Sequence, residues 1–192
     1  MRVLVACEYS GTVHDAFLKR GHDAMSCDLL PTESPGPHYQ GDVFDVIADG
    51  WDLMIAHPPC TYLSNAGARH LYPKGLLNQD RFALGLEAKD FFMKLWIADI
   101  PKICIENPVP SSVFGLPAYG QFIEPFHFGH PFKKKTCLWL KNLPPLMSTL
   151  NVAHRESTKV AGNWFNAGGK NRQSARAKFW PGIADAMAEQ WG

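Results

Sequence analysis

Short apolar runs alternate with amphipathic segments along most of the chain. Runs of β-branched and aliphatic residues bounded by turn residues are typical of buried strands. Such runs predict strands at residues 2–6, 22–28, 53–56 and 102–105. Further along, apolar and polar positions alternate one by one, which predicts two antiparallel strands at residues 122–128 and 136–140.

Between the strands, apolar residues recur at the spacing of a helix face. This spacing predicts helices at residues 12–20, 79–97 and 182–191. A short turn or helix is predicted to begin at Gly41-Asp42-Val43. The remaining stretches are rich in Pro, Gly or polar residues and predict loops or irregular structure, at residues 30–40, 61–78 and 142–161.

Strands that alternate with helices predict βαβ units and therefore an α/β fold with a largely parallel sheet. The late alternating pair adds an antiparallel pair at the C-terminal side of that sheet. The 192 residues show no internal repeat or linker, so we expect residues 1–192 to form a single domain.

The composition of the chain limits the classes of protein to which it could belong. Hydrophobic residues make up 46% of the chain, which favours a packed core over disorder. The formal net charge of +1 means that any nucleic-acid surface must be local. The five cysteines include no CxxC pair, the first residues enter a strand rather than a signal peptide, and no apolar run approaches bilayer length. Together these features predict a reduced, cytoplasmic protein.

Residues that could bind a ligand or take part in a reaction follow the predicted strands. They are Ser10 and Gly11, Asp28, Asp42, the segment 58–60, and Glu106 with Asn107. The carboxyl ends of parallel strands meet at one edge of a sheet, where ligands bind. Several such residues at one edge indicate a functional site.

Cys60 carries the sharpest signal, because Pro58 and Pro59 fix the backbone before it and a polar loop follows. A buried core cysteine is rare in such a place, so a nucleophile is favoured over a plain loop cysteine. Arg69, His70 and the lysines around Lys134 are candidate cations beside it.

Each of the other candidates also has a structural interpretation. Gly11 fits an ordinary turn as well as a ligand contact, and the chain has no GxGxxG motif. Asp28 fits a ribose contact or a turn cap, and Asp42 an adenine contact or a cap. Glu106 fits an ion pair with a lysine, or a partly desolvated acid that holds a proton near neutral pH.

Two basic segments are candidates for a nucleic-acid surface. The first contains Lys133, Lys135 and Lys141, and the second lies near the C-terminus and includes Arg172 and Arg176. Aromatic residues accompany the second segment, a mixture that suits a nucleic-acid strand. A solvated charge run and an amphipathic closing segment explain the same residues.

Taken together, these motifs resemble the DNA (cytosine-5)-methyltransferase family in their order along almost the whole chain. The segment 7–11, with Tyr9, Ser10 and Gly11, resembles the motif that holds the methionine part of S-adenosylmethionine. Asp28 resembles the ribose-binding acid, and Gly41-Asp42-Val43 the adenine-contacting motif. Pro58-Pro59-Cys60 resembles the catalytic Pro-Pro-Cys motif, and Glu106-Asn107-Pro108 the motif that follows it. Lys133 and Lys135 hold the spacing of a paired-arginine motif.

The chain also departs from the family pattern. Val13 and His14 replace later glycines of the first motif, His57 replaces a Gly, and Thr61 replaces a Gln. The lysines lose the bidentate phosphate geometry of arginine. Where the family inserts a large target-recognition domain, this chain has only residues 142–161. By this resemblance, the compact form suggests a phage or mobile-element gene.

The resemblance implies a Rossmann-like S-adenosylmethionine-dependent methyltransferase fold and methyl transfer to carbon 5 of cytosine in DNA. Cys60 would attack the ring and Glu106 would hydrogen-bond it, with S-adenosylmethionine held by Tyr9, Ser10, Gly11, Asp28, Asp42, Val43 and Pro58.

Two other functions remain open. One is the same thiol chemistry on a free cytidine nucleotide or a single strand, and the other is a non-catalytic relative that binds DNA or blocks a restriction enzyme. If the substrate is DNA, a partner subunit could supply the surface that reads the target sequence.

Overall fold

The computed structural model describes residues 1–153 and 179–192. Strands and helices alternate through this part of the chain as the hydrophobic pattern predicts. The seven strands are β1 (Arg2–Ala6), β2 (Asp23–Asp28), β3 (His38–Gln40), β4 (Leu53–Ala56), β5 (Lys102–Pro108), β6 (Gln121–Ile123) and β7 (Thr136–Lys141). The α-helices of the described residues are α1 (Thr12–Lys19), α2 (Ala68–Leu71), α3 (Gln79–Trp96) and α4 (Pro181–Trp191).

The strands form one sheet in the order β3-β2-β1-β4-β5-β7-β6. The neighbours from β3 to β5 are parallel, while β7 runs antiparallel to both β5 and β6. This order, with its single reversed strand, confirms the expected Rossmann-like methyltransferase fold. It also places the carboxyl ends of β1, β2, β4 and β5 on one edge, together with the start of β7.

Two cores lie on opposite faces of the sheet because neighbouring residues of a strand point to opposite sides. On one face, Val3 and Val5 pack with residues of α1 and α4. On the other face, Leu4 and Met54 pack with Phe92 and other residues of α3. The result is a three-layer α/β arrangement, with the sheet between the helices.

Three predictions about local structure were wrong. Residues 38–40 form the edge strand β3, and the short run His-Tyr-Gln has no apolar alternation to reveal it. The predicted loop 61–78 contains α2 and two short 3₁₀ helices. The strand predicted at 122–128 ends at Ile123 and turns into a 3₁₀ helix at Pro125–His127, because proline has no N–H for the ladder.

In the part of the chain that the structure describes, no helix has the length and apolar character needed to cross a membrane.

Candidate active site

The loop after β1 is organised by Glu8, a buried acid that the sequence interpretation did not single out. Its carboxylate accepts hydrogen bonds from the backbone N–H groups of Val13 (2.8 Å) and His14 (3.1 Å), in the first turn of α1. Two N–H groups at a helix start thereby gain a partner. The Ser10 hydroxyl also donates to Glu8, at 3.2 Å.

Gly11 sits between this loop and α1 with a φ of 74°, in the left-handed region that favours glycine. A Cβ at this position would lie 2.3 Å from the Cβ of Ser34. The turn itself therefore requires a glycine here, which supports the structural interpretation of this residue.

A cavity of about 340 Å³ opens at the carboxyl edge of the sheet. Among the predicted cofactor residues, Asp28, Asp42 and Val43 line it. Tyr9, Ser10, Gly11 and Pro58 are outside its lining. The volume is in the range of small-molecule sites, which are mostly apolar with a few polar groups.

Helix α3 and the loop after Cys60 supply the other wall of this cavity, with Tyr62, Leu84, Glu87, Ala88 and Phe91. The sequence interpretation predicted the helix but gave it no part in the site. Its apolar positions did predict the helix, but spacing alone does not separate positions that face the core from those that face a cavity.

Both cavity acids also serve the local backbone. One oxygen of Asp28 accepts a hydrogen bond from the N–H of Leu30 at 2.9 Å, and one oxygen of Asp42 accepts from the N–H of Phe44 at 3.0 Å. The capping interpretation therefore holds for both acids, and the same two residues line the cavity.

The thiol turn, residues 58–60, forms part of the cavity wall, because Pro59 lines it. Asn107 of β5 is buried and its side-chain amide donates to the carbonyl of Pro58 at 3.0 Å. The backbone N–H of Ser64 donates to the carbonyl of Cys60 at 3.0 Å. These bonds fix the turn on both sides of the thiol and join it to β5.

The loop that follows the thiol is held as well. The Arg81 guanidinium donates to the carbonyl of Thr61 at 2.8 Å, and the N–H of Ser111 donates to the carbonyl of Leu63 at 2.7 Å. Arg69 and His70, predicted as cations near Cys60, are exposed and hydrogen-bonded to each other.

Cys7 and Cys60 are partly exposed, whereas Cys27, Cys104 and Cys137 are buried. Burial, reinforced by the charges of Asp28 and Asp42, raises the pKa of the Cys7 thiol well above its ordinary value. Burial raises the pKa of Cys27 and of Cys137 to about 11 in each case. The pKa of the fully enclosed Cys104 is also raised by burial. These four thiols are poor nucleophiles near neutral pH.

Glu106 follows Ile105 in β5 and is almost enclosed, with its side chain 13% exposed. Its Oε2 lies 3.2 Å from Nδ1 of His57, the residue before the two prolines. Burial raises the pKa of the Glu106 carboxyl. The hydrogen bond from His57 and the charges of Lys134 and His57 lower it by more, so the net pKa is below its usual value. Of the two interpretations of Glu106, the structure favours a paired charge over an acid that holds a proton near neutral pH, and the residue in contact is His57 rather than a lysine.

The basic residues predicted to bind nucleic acid lie at different places in the fold. Lys133 and Lys135 are exposed just before β7, at the edge of the sheet that carries the site, and Lys134 between them acts on Glu106. Lys141 ends β7 at the opposite edge, where its ammonium donates to the carbonyl of Ala98 at 2.9 Å. The structure does not bring Lys141 to the site. Arg172 and Arg176 lie outside the described residues.

Glu8, His57 and Asn107 are the site residues that sequence reasoning missed or left without a role. The signals for His57 and Asn107 were their positions beside the thiol turn and beside Glu106. A buried acid before a helix start is the corresponding signal for Glu8.

No family model matches the sequence, and no curated protein matches it. Solved structures do. One is described as a DNA modification methyltransferase encoded within an E. coli prophage, with 13% identity, a TM-score of 0.46, and 80% of this chain aligned to 52% of that one. The methyltransferase EhMeth of Entamoeba histolytica has 11% identity and a TM-score of 0.48, over 82% and 57% of the two chains.

The Dnmt2 methyltransferase of S. pombe has 16% identity and a TM-score of 0.43, over 83% of this chain and 52% of that one. The chain thus spans little more than half the length of these structures. The descriptions of these three structures name methyltransferases. The Rossmann-like fold of this chain rests on the strand order of its own sheet.

Proposed function

We propose that the protein transfers a methyl group from S-adenosylmethionine to carbon 5 of cytosine in DNA, with the Cys60 thiol as nucleophile. The observation that carries this proposal is the hydrogen bond of 3.0 Å from Asn107 to Pro58, which joins the thiol turn to the strand of Glu106. Pro59 of this turn lines the cavity, and Cys60 and Glu106 stand on the two segments that the bond joins.

The cavity fits S-adenosylmethionine in chemistry and in size. Asp28 and Asp42 present carboxylates to a ribose diol and to an adenine amino group, while Val43 and Phe91 offer apolar surface to the adenine ring. S-adenosylmethionine bound there supplies an electrophilic methyl group. The thiol turn lies at one wall of this cavity, so a base beside Cys60 would lie next to the methyl donor.

Carbon 5 of cytosine is a weak nucleophile, and the protein must activate it. The Cys60 thiolate adds to carbon 6, which gives carbon 5 the character of an enamine carbon. Glu106 accepts hydrogen bonds from the exocyclic amine and from the ring nitrogen as that nitrogen takes up a proton. After methyl transfer a proton leaves carbon 5, and the bond between Cys60 and carbon 6 breaks to release the thiolate.

A base inside a duplex is out of reach of this edge, so duplex DNA must present a flipped cytosine. Lys133 and Lys135 stand exposed at the same edge and are positioned to contact phosphate groups. They support a nucleic-acid substrate over a free base.

The test uses S-adenosylmethionine with a labelled methyl group, offered with duplex DNA, single-stranded DNA and deoxycytidine monophosphate in parallel. The products are digested and 5-methylcytosine is measured. Label in DNA supports the proposal, and label only in the nucleotide replaces its substrate while keeping its chemistry. Tight DNA binding without any label would show a non-catalytic DNA-binding protein and refute the proposal.

A further inference from the structure

His57 occupies an unusual place at the site, between β4 and the two prolines of the thiol turn. Its side chain is 12% exposed, and its ring centroid lies 4.7 Å from that of Phe179, the residue two positions before α4. The ring is therefore held by packing on one side while Nδ1 meets the Glu106 carboxylate at 3.2 Å on another.

The contact fixes where the hydrogen of this pair must lie. A charged carboxylate only accepts hydrogen bonds, so Nδ1 must carry the hydrogen and donate it. Nε2 is buried and has no hydrogen-bond partner in the described part of the chain. With Nε2 enclosed, the ring has one strong polar contact, and that contact is with Glu106.

The charges around Glu106 come from several elements. His57 reaches it from the end of β4 and Lys134 from the segment before β7, and both favour the charged carboxylate. The thiols of Cys104 in β5 and Cys137 in β7 also interact electrostatically with Glu106. Their pKa values are raised, so both thiols are neutral near neutral pH. His57 is the partner that makes direct contact, so its removal should change the titration of Glu106 most.

We propose that His57 is a positioning residue for the reaction: its Nδ1–H holds one oxygen of Glu106, which keeps the carboxylate charged and leaves the other oxygen for the edge of the pyrimidine ring. This role rests on the proposed function for its chemical meaning. It assigns a task to a residue that stands where the resembled family has glycine.

The role follows from what Glu106 must do when the thiol adds. As the bond from Cys60 to carbon 6 forms, electrons shift toward the ring nitrogen, which takes up a proton from solvent. That proton returns to solvent when the bond breaks. A carboxylate that is already charged and correctly oriented accepts hydrogen bonds from this protonated edge without rearrangement.

The first measurement needs no catalysis. Carboxyl-labelled glutamate is introduced, the Glu106 signal is assigned with Glu106→Gln, and its titration is followed by carbon NMR. The variant His57→Phe keeps the ring against Phe179 but removes the donor, while His57→Asn keeps a donor near the Nδ1 position. We expect Glu106 in His57→Phe to take up its proton about one pH unit higher than in the wild type, with His57→Asn between them.

The second measurement is the pH profile of kcat for methyl transfer. Removing the donor raises the pKa of Glu106. The acid limb of the profile, where kcat falls as the pH is lowered, should therefore lie at a higher pH. We expect this acid limb to move upward by the same interval in His57→Phe and by less in His57→Asn, with the KM for S-adenosylmethionine unchanged. A merely structural role would lower the folded fraction without moving the limb.

The outcomes separate this role from the proposed function. Equal titration of Glu106 in the wild type and His57→Phe would overturn the role, as would a shifted titration with an unmoved acid limb. If the titration shifts but the wild type methylates no cytosine, the charge pairing stands while the proposed function and the part of His57 in that reaction are both overturned. If His57→Phe fails to fold, His57→Asn decides the question alone.

Discussion

Cys60 is the nucleophile of the proposed reaction, and two neighbouring segments hold its turn in place. We expect Cys60→Ser to lose methyl transfer by on the order of a thousandfold or more, because a neutral hydroxyl is a far weaker nucleophile than a thiolate. The assay is methyl transfer to DNA by the purified variant, and S-adenosylmethionine binding measured by calorimetry serves as the control. Near wild-type turnover in Cys60→Ser would remove the covalent mechanism.

Glu106 makes stability depend on pH in a defined direction. Its pKa is lowered in the folded protein, so the charged carboxylate stabilises the fold above the unfolded value of about 4.3 and this contribution is lost as pH falls through the folded pKa. We expect the advantage of the wild type over Glu106→Gln, measured by urea unfolding, to be full at neutral pH and to shrink below about pH 4. A constant difference from pH 7 to pH 3 would contradict this assignment.

At the level of elements, some residues of α3 pack in the core and others line the cavity. Gly85 lies in the middle of this helix, and a Cβ there would approach the Phe114 ring to 2.2 Å. Glycine normally weakens a helix by about 1 kcal/mol relative to alanine, but here it permits close packing.

We therefore expect Gly85→Ala to destabilise the protein by about 1–3 kcal/mol through overpacking, despite the gain in helix propensity. The measurement is the free energy of unfolding in urea. The control is the double variant with Phe114→Leu, which makes room for the added methyl and should recover part of the loss. Stabilisation by Gly85→Ala alone would show that the helix moves without cost.

The elements also show what the sequence could predict. The buried strands β1, β4 and β5 were found because both faces of the sheet are covered, which makes their residues continuously apolar. β3 was missed because an edge strand of three residues carries no such signal. The pairing of His57 with Glu106 spans 49 positions, and only the sheet order brings it together.

At the scale of the whole molecule, the cavity proposed to hold S-adenosylmethionine is built from β2, the start of the 3₁₀ helix at Val43–Asp45, the thiol turn and α3. Ligand binding should therefore couple these elements. We expect S-adenosylmethionine at about 100 times its Kd to stabilise the protein by about 2.7 kcal/mol, since a ligand that binds only the folded state adds its binding free energy.

The readout is the rise in Tm with ligand concentration. Asp28→Asn and Asp42→Asn should reduce this rise at a fixed concentration, because each replaces a carboxylate of the cavity. Lys141→Gln lies at the opposite edge of the sheet and should leave the ligand-dependent rise unchanged. An equal rise in all variants would place the ligand elsewhere.

The contrast among the five thiols has a practical side. Burial raises the pKa of four of them, among them Cys7, which is partly exposed as Cys60 is. An alkylating probe used briefly near pH 7 should therefore react with one position, and peptide mass spectrometry would identify it. A fluorophore attached in this way would report directly on events at the cavity wall, with no cysteine to engineer in or out.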